Sequence, residues 1–90
     1  MRRPTVTGQF NKDTRLMKRR GKELSKLRWV MDAVLKGDQL PDRLRDHSLS
    51  GNWRGRRECH IEPDWLLIYL FRGDDEVVFE RTGSHTDLFD

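Results

Sequence analysis

Residues 65–71 form an uninterrupted apolar run, Trp65-Leu66-Leu67-Ile68-Tyr69-Leu70-Phe71. A run without polar alternation is typical of a strand that is covered on both faces, as the central strand of a sheet is. Turn-forming residues bound it on both sides, at 62–64 before it and at 73–75 after it. This stretch therefore predicts the central strand of a small sheet.

A further strand is predicted on each side of the apolar run. Residues 56–61 alternate and place one set of side chains on each face, Arg57, Cys59 and Ile61 against Arg56, Glu58 and His60. Residues 77–82 open with Val-Val-Phe, which favours a strand. Because only short turns separate the three strands, they predict an antiparallel meander.

The N-terminal part of the chain predicts one strand and two helices. The β-branched segment at 5–7 favours a short edge strand. Helical spacing then runs over residues 10–20, and a second helix is predicted over residues 22–36. Residues 38–45 are expected to form a loop.

The second helix has a clear core-facing side. Its apolar residues recur at helical spacing, at Leu24, Leu27, Met31 and Val34. Gly37 follows it and is suited to the left-handed position after a helix end. The predicted fold class is α+β: an N-terminal strand, two helices, and a three-stranded antiparallel meander packed on the helices.

Length and composition restrict the classes of protein. Ninety residues allow one domain, which we expect to span residues 1–90. No apolar run reaches 18 residues, and no apolar segment follows the Met1 start, so we expect a cytoplasmic protein without a membrane span. Cys59 cannot form an internal disulfide, and a zinc site with His60 is rejected because the two side chains point to opposite strand faces.

The net charge of +3 is unevenly distributed. Residues 12–28 hold eight bases and two acids, a balance of +6, whereas residues 58–90 hold nine acids and two bases, a balance of −7. A basic half is typical of proteins that bind polyanions. A solvated helix surface explains the same pattern, so charge alone leaves both interpretations open.

Five residues of the second half suit proton transfer on RNA. Internal transesterification needs one group to take a proton, another to give one, and a cation beside the phosphate. Histidine as a residue type titrates near neutrality, and the chain has three, His47, His60 and His85. Asp64 and His60 flank a tight turn, and Arg81 and His85 flank the end of the last predicted strand. We expect Asp64 to orient His60. Each histidine and Asp64 also has a structural interpretation: His47 as a surface residue in a loop, His60 as a solvent-facing strand residue, His85 as a cap in the loop after the last strand, and Asp64 as a turn residue.

Three ordered segments add a resemblance. They are residues 46–53 (DHSLSGNW), residues 60–69 (HIEPDWLLIY) and residues 81–89 (RTGSHTDLF). In order and spacing they closely resemble the YafQ branch of the RelE toxin superfamily, and the likeness is tightest over residues 46–89.

The resemblance implies a RelE-like fold and a function. Proteins of this kind are toxins of bacterial type II toxin–antitoxin pairs, metal-independent endoribonucleases without a cofactor that cut mRNA mostly in the ribosomal A site. The implied partners are mRNA, the ribosome and a small, partly disordered antitoxin encoded nearby, with operator DNA bound only by the toxin–antitoxin complex. The alternatives are a non-catalytic member that binds antitoxin or nucleic acid, and a ribonuclease that needs no ribosome.

The resemblance also assigns roles to residues. It places His47, His60, Asp64 and His85 in an acid–base cluster, with His85 as the principal proton-transfer residue. It places Arg81 beside the phosphate. The residues expected to contact or shape the substrate site are Trp65, Phe89, Arg54 and Arg56, although Trp65 and Phe89 also suit simple packing.

Overall fold

The computed structural model describes residues 1–89. It contains a five-stranded sheet, two long helices and a short C-terminal helix. In chain order the elements are β1 (Arg3–Val6), α1 (Gly8–Arg19), α2 (Leu24–Lys36), β2 (His47–Ser48), β3 (Arg57–Glu62), β4 (Trp65–Arg72), β5 (Glu76–Gly83) and α3 (His85–Phe89). The strands lie in the order β1-β5-β4-β3-β2, and β1 pairs parallel to β5 while the other pairs are antiparallel. The predicted α+β class, edge strand and meander are confirmed.

Strand β4 is the centre of the sheet, as the apolar run predicted. Residues 65–69 are buried on both faces. On one face, here called the helix face, Trp65, Leu67 and Tyr69 join the main core. On the opposite face, here called the histidine face, Leu66 and Ile68 pack with a smaller apolar group.

Both α1 and α2 cover the helix face. Phe10 and Met17 of α1 lie in the same buried cluster as Leu27 and Val34 of α2. The prediction that the long helix covers one face of the meander is therefore confirmed, and α1 shares that role. Cys59 is fully buried in this cluster, and burial raises the pKa of its thiol to about 12.

The helix ends follow from local capping. Helix α1 begins two residues earlier than predicted because the Thr7 side chain accepts a hydrogen bond from the Phe10 backbone N–H at 2.9 Å. Helix α2 ends where Gly37 takes a left-handed conformation with φ of +77°, as predicted. No helix among residues 1–89 is long and apolar enough to cross a membrane.

Two short elements were not predicted. His47 was expected in a loop, but with Ser48 it forms β2 at the sheet edge, paired with β3. His85 was expected in a loop after the last strand, but it begins α3. Helix α3 starts with a capping box, in which the Ser84 hydroxyl accepts from Asp87 N at 3.1 Å and the Asp87 carboxylate accepts from Ser84 N at 2.9 Å.

A β-bulge changes which side chains of β5 face each side of the sheet. The register places Phe79 opposite Tyr69 and Arg81 opposite Ile68, so Glu80 is an extra residue. Strict alternation from Phe79 would direct Arg81 to the helix face. The bulge instead places Arg81 on the histidine face.

Candidate active site

Three imidazole rings lie in a row on the histidine face. The ring centroids of His47 and His60 are 6.4 Å apart, and those of His60 and His85 are 5.8 Å apart. His47 reaches this row because β2 pairs with β3 opposite Glu58, and His85 does so because α3 starts directly after β5. The structure thus brings together the three histidines that the sequence singled out.

Strand β2 is held in place by a polar network around Asp46. The Tyr69 hydroxyl donates to Asp46 Oδ1 at 2.6 Å, and Arg57 Nη2 donates to Asp46 Oδ2 at 3.0 Å. Arg57 also donates to the Ser48 hydroxyl at 2.9 Å. Burial and the bond to Asp46 raise the pKa of Tyr69, so its hydroxyl stays a donor. This network fixes the position of His47 at the sheet edge.

The carboxylate of Asp64 orients the His85 ring. Its Oδ1 accepts hydrogen bonds from the His85 backbone N at 3.0 Å and from His85 Nδ1 at 2.7 Å. These bonds lower the pKa of Asp64, and an ionised carboxylate can only accept. His85 therefore carries a proton on Nδ1, and its Nε2 makes no hydrogen bond to residues 1–89. The His85 side chain is 53% exposed, so a substrate can reach it.

The expected contact between Asp64 and His60 is wrong. His60 Nδ1 lies 3.3 Å from the carbonyl oxygen of Pro63, which can only accept, and its Nε2 lies 3.3 Å from Glu58 Oε1. The register of β3 against β4 shifts after His60, and beyond this shift the turn directs Asp64 towards the start of α3. The partner of Asp64 is thus the histidine 21 residues away.

Glu58 was placed beside His60 by the strand alternation but was given no role. Its Oε1 lies 3.5 Å from His47 Nε2 and 3.3 Å from His60 Nε2, and its side chain is only 6% exposed. His47 Nδ1 lies 2.6 Å from the carbonyl oxygen of Arg45, so it too is a donor. One carboxylate oxygen thus lies between the two imidazoles. The signal was available, since residues two apart on a strand share a face.

Arg81 is positioned by a buried carboxylate of α1 that sequence reasoning missed. Asp13 Oδ2 accepts from Arg81 Nε at 2.8 Å and from the Thr82 backbone N at 3.1 Å, and Oδ1 accepts from Arg81 Nη2 at 3.3 Å. Strand β1 ends at Val6, opposite Phe79, so the edge of β5 beyond it is open to α1. The hydrogen bonds to Asp13 raise the pKa of Arg81, which keeps its charge.

The predicted substrate residues have different positions. Trp65 is fully buried on the helix face and donates to the Thr82 hydroxyl at 2.9 Å, so its prediction as a substrate contact is wrong. Phe89 is 41% exposed, and its ring lies 6.3 Å from that of His85. Arg54 is exposed, whereas Arg56 donates to Glu80 at 2.9 Å. Phe89 and Arg54 thus remain open to a ligand.

The comparisons with known proteins give this site its context. The sequence profile of the family described as a bacterial toxin of type II toxin–antitoxin system, YafQ, matches residues 2–90. The chain belongs to this family.

Relatives of the toxin include proteins of known structure. The mRNA interferase toxin YafQ of Escherichia coli (strain K12) is 43% identical over 84 residues, which is 92% of this chain and 90% of that protein. The crystal structure of YafQ from E. coli strain BL21(DE3) covers 100% of both chains at 40% identity, with a TM-score of 0.93. The crystal structure of the E. coli DinJ–YafQ complex covers 100% of both chains at 41% identity, with a TM-score of 0.91. The RelE-like fold expected from the resemblance is confirmed.

Helix α3 of the toxin is tied to the end of α1. Arg20, directly after α1, donates to Asp87 Oδ2 at 2.6 Å and to Oδ1 at 3.0 Å. These bonds, together with those from Ser84, lower the pKa of Asp87. Because Asp87 also caps α3, this ion pair holds the helix that presents His85.

Opposite charges of the two halves of the toxin meet in the fold. Lys22 and Lys26 both donate to Glu62, at 2.7 and 2.9 Å, and their hydrogen bonds lower its pKa. Part of the basic segment is therefore neutralised by the acidic half. Five of its cations are exposed and have no carboxylate within 4 Å among residues 1–89, namely Lys12, Arg15, Lys18, Arg19 and Arg28.

Proposed function

We propose that the toxin is an mRNA interferase that cleaves ribosome-bound message by acid–base transesterification on its histidine face. The observation that carries the proposal is the His85–Asp64 pair, whose Nδ1···Oδ1 distance is 2.7 Å, with the His60 ring 5.8 Å from that of His85. The chain's own side chains can supply each of the required proton and charge roles.

The reaction requires a balanced pair of proton transfers. The ribose 2′-oxygen attacks the phosphorus and loses its proton, and the bond from phosphorus to the 5′-oxygen breaks. The products are a 2′,3′-cyclic phosphate and a 5′-hydroxyl, which must gain a proton. Two imidazoles on either side of one phosphodiester can carry out both transfers.

His85 has the geometry of the principal proton-transfer residue. Asp64 fixes its tautomer and supports the positive charge that forms when Nε2 takes a proton. We assign the opposite step to His60, whose ring lies 5.8 Å from that of His85 and whose Nε2 must exchange its contact with Glu58 for one with the substrate. His47 shares the same carboxylate oxygen, so it helps to hold Glu58 beside His60.

Arg81 stabilises the charge that develops on the phosphate. Arg81 is paired with Ile68 of β4, and Ile68 is paired with Glu58 of β3. Because paired residues on neighbouring strands share a face of the sheet, Arg81 lies on the histidine face. Asp13 holds its Nε and Nη2, and its Nη1 makes no hydrogen bond to residues 1–89. An arginine fixed in advance stabilises the transition state without reorganising when the charge appears.

The exposed aromatic ring of Phe89 suits the base beside the cleaved bond. It packs edge-on to Trp53 at 5.5 Å, which fixes its orientation, and leaves 41% of the residue exposed. A base stacked on an aromatic side chain gains about 1–3 kcal/mol. Arg54 follows Trp53 directly in the chain and is exposed, and it adds a cation for the phosphate backbone.

The exposed cations of the basic segment suit the RNA of the ribosome. They lie on α1 and α2, on the side of the sheet away from the histidines. One surface can therefore hold ribosomal RNA while the other faces the message. Phosphate contacts of this kind weaken steeply with salt.

The proposed partner in the resting state is a cognate antitoxin. The relative in the E. coli DinJ–YafQ complex was crystallised with its partner, and that structure covers 100% of this chain. We expect a small, partly disordered antitoxin encoded beside this toxin, and binding of operator DNA only by the complex.

The test is cleavage of a message on programmed ribosomes, with cut sites mapped by primer extension. His85→Ala should lower the cleavage rate by about 10²–10⁴-fold, the usual effect of losing an acid–base group. Thr86→Ala, the next exposed residue of α3, is the matched control and should cleave as the wild type does. Undiminished cleavage by the folded His85 variant would remove it from the mechanism.

A second arm of the experiment tests the dependence on the ribosome. The same message is offered free in solution at matched concentration. Much slower cleavage of free RNA supports the proposal, and equal rates would favour a ribonuclease that works without the ribosome.

A further inference from the structure

A cavity of about 520 Å³ lies on the helix face, away from the histidines. Val34 near the end of α2, the loop at 38–42, and Tyr69 and Phe71 of β4 line it, and Arg2 enters from the N-terminus. We call this feature the Arg2 cavity. Its volume is within the range of ligand pockets, about 300–1,000 Å³. Because none of the three histidines lines it, the proposed cleavage chemistry does not account for it.

The guanidinium of Arg2 lacks a partner within residues 1–89. Its Nε is fully buried and makes no hydrogen bond there, and no carboxylate there lies within 4 Å of the side chain. The Arg2 backbone N donates to the Leu35 carbonyl at 2.9 Å, so the residue is held at the end of α2. The carbonyls at a helix C-terminus favour a cation, but none of them accepts from Nε. Since buried donors in proteins are nearly always satisfied, this one calls for an acceptor that residues 1–89 do not supply.

The same guanidinium is part of a flat surface in the cavity. Arg2 Cζ lies 4.8 Å from the centroid of the Phe71 ring, and Tyr69 packs edge-on to that ring at 5.8 Å. Phe71 is nevertheless 45% exposed, although it is a large apolar residue. Nucleic-acid bases stack on aromatic rings and on guanidinium planes. The Arg2 cavity therefore places a surface for a planar ring beside a cation.

Charges of both signs line the cavity without neutralising each other. Arg45 has no carboxylate within 4 Å, and Asp38 and Asp42 have no cation within 4 Å, among residues 1–89. The remaining pair, Arg57 and Asp46, is satisfied internally at 3.0 Å. A ligand that uses this lining fully must carry an anionic group and also hydrogen-bond donors.

A nucleotide meets all of these conditions. Its phosphate oxygens accept from guanidinium groups, often from two N–H donors of one group at once. Its base offers a planar ring for Phe71 and amino donors for the carboxylates of Asp38 and Asp42. Inorganic phosphate would leave the aromatic surface and the carboxylates unused. An acidic protein segment would place its own carboxylates beside those of Asp38 and Asp42.

We propose that the Arg2 cavity binds a nucleotide, with its phosphate on Arg2 and Arg45 and its base against Phe71. A free mononucleotide and one residue of an RNA strand present the same chemistry. The site is separate from the histidine face, because the residues of β4 that line it lie on the helix face. Its occupation needs no cleavage, so the proposal does not depend on the proposed function.

The first experiment titrates the full chain with guanosine 5′-monophosphate and measures Kd by calorimetry. Arg2→Ala, Arg45→Ala and Phe71→Ala should each raise Kd at least tenfold, the effect of losing a charged hydrogen bond or a stacked ring. Arg72→Ala and Trp29→Ala are the matched controls, since both residues are exposed and neither lines the cavity, and should leave Kd within twofold. Circular dichroism checks that each variant is folded.

The histidine face is the competing location for the nucleotide. His85→Ala should bind guanosine 5′-monophosphate as the wild type does. A Kd that rises in His85→Ala and stays unchanged in Arg2→Ala would overturn the proposal, because the nucleotide would then bind at the histidines. Guanosine without phosphate and inorganic phosphate without base should each bind at least tenfold more weakly than the nucleotide, and equal binding of inorganic phosphate would contradict the role of Phe71.

An RNA hexamer with every 2′-hydroxyl methylated identifies the source of the nucleotide, because it cannot be cleaved by transesterification. If the cavity holds RNA, the hexamer should bind more tightly than the mononucleotide, lose at least tenfold in Arg2→Ala, and compete with the mononucleotide. If it holds a free nucleotide, the hexamer should not compete, and Arg2→Ala should leave the KM for message unchanged. A wild type that binds neither probe, or binding of both probes that no cavity variant weakens, would overturn the proposal.

Discussion

Replacing Asp13 tests whether α1 holds the end of β5 that carries Arg81. The side chain is 7% exposed and accepts hydrogen bonds from Arg81, from the Thr82 backbone and from Gln9 Nε2 at 3.1 Å. Asp13→Ala removes all of these acceptors at once. It leaves Arg81 as a mostly buried cation without a counter-ion and Thr82 with an unpaired N–H.

The expected loss of stability follows from these contacts. Removing one partner of a buried ion pair costs about 3–5 kcal/mol. The Arg81 side chain is 24% exposed, so water offsets part of that loss, whereas the unpaired Thr82 N–H adds about 1–3 kcal/mol. We expect a decrease of about 3 kcal/mol in the free energy of unfolding. For a chain of this size the Tm falls by about 12–24 °C.

Urea unfolding measures the decrease, and a double-mutant cycle with Arg81→Met identifies its source. The loss from Asp13→Ala should shrink by about 1–3 kcal/mol when Arg81 is already replaced, because neighbours in one ion pair are not additive. Asp32→Ala, at an exposed carboxylate of α2, is the control and should stay within about 0.5 kcal/mol of wild type.

Cleavage of message tests whether Asp13 also holds the Arg81 guanidinium in the position that cleavage requires. Below its Tm, the Asp13→Ala variant should show a lower kcat with little change in KM, and the change should vanish in the Arg81→Met background. A decrease under about 1 kcal/mol, or fully additive effects on stability and kcat, would refute the reasoning that Asp13 acts through Arg81.

Three further predictions concern the core and the short helix. Trp65→Phe loses the hydrogen bond to Thr82 and should lower the free energy of unfolding, measured in urea, by about 1–3 kcal/mol. The KM for message should not change, and a raised KM in a fully stable variant would contradict the assignment of Trp65 to the core. The pKa of Asp87 is lowered by Arg20, so the ionised carboxylate stabilises the fold above its unfolded pKa of about 3.9, and this contribution fades as pH falls below that value. Asp87→Asn should therefore reduce the loss of Tm between about pH 4 and pH 2, and an unaltered slope of Tm against pH would count against this role of Asp87. Cys59, buried with its pKa raised to about 12, should react with a thiol reagent at pH 8 only on unfolding, and rapid labelling of the native chain would disprove its burial.

The elements that sequence reasoning found are those with a strong local pattern. The apolar run of β4 and the 3.6-residue spacing of α2 each extend over two or more turns or pleats, so their burial could be predicted from the local order of apolar residues. Strand β2 and α3 span two and five residues. They form because Arg57 holds β2 through Ser48 and because Leu88 packs on Leu66 and Ile68, and no local window contains those partners.

The histidines were singled out correctly as a group, but their partners were not. Closeness in sequence suggested that Asp64 orients His60, whereas the fold gives it His85. The bulge at Glu80 was equally hidden, since an extra residue in one strand leaves no mark on the sequence of that strand alone. Without it, Arg81 would face the helices instead of the histidines.

The uneven charge of the chain acquires a second role in the structure. A basic N-terminal segment and an acidic C-terminal one suggested a surface for polyanions, and the exposed cations of α1 and α2 suit that role. The same segments also meet each other, because Arg20 holds Asp87 and therefore α3, while Asp13 holds Arg81. The residues proposed to act on RNA come from the second half of the chain, yet two of them are placed by carboxylate–guanidinium contacts with the first half. High salt should therefore act on two levels: it weakens phosphate binding and the exposed Arg20–Asp87 pair, because exposed charges are screened most, and it leaves the more buried Asp13–Arg81 pair largely intact.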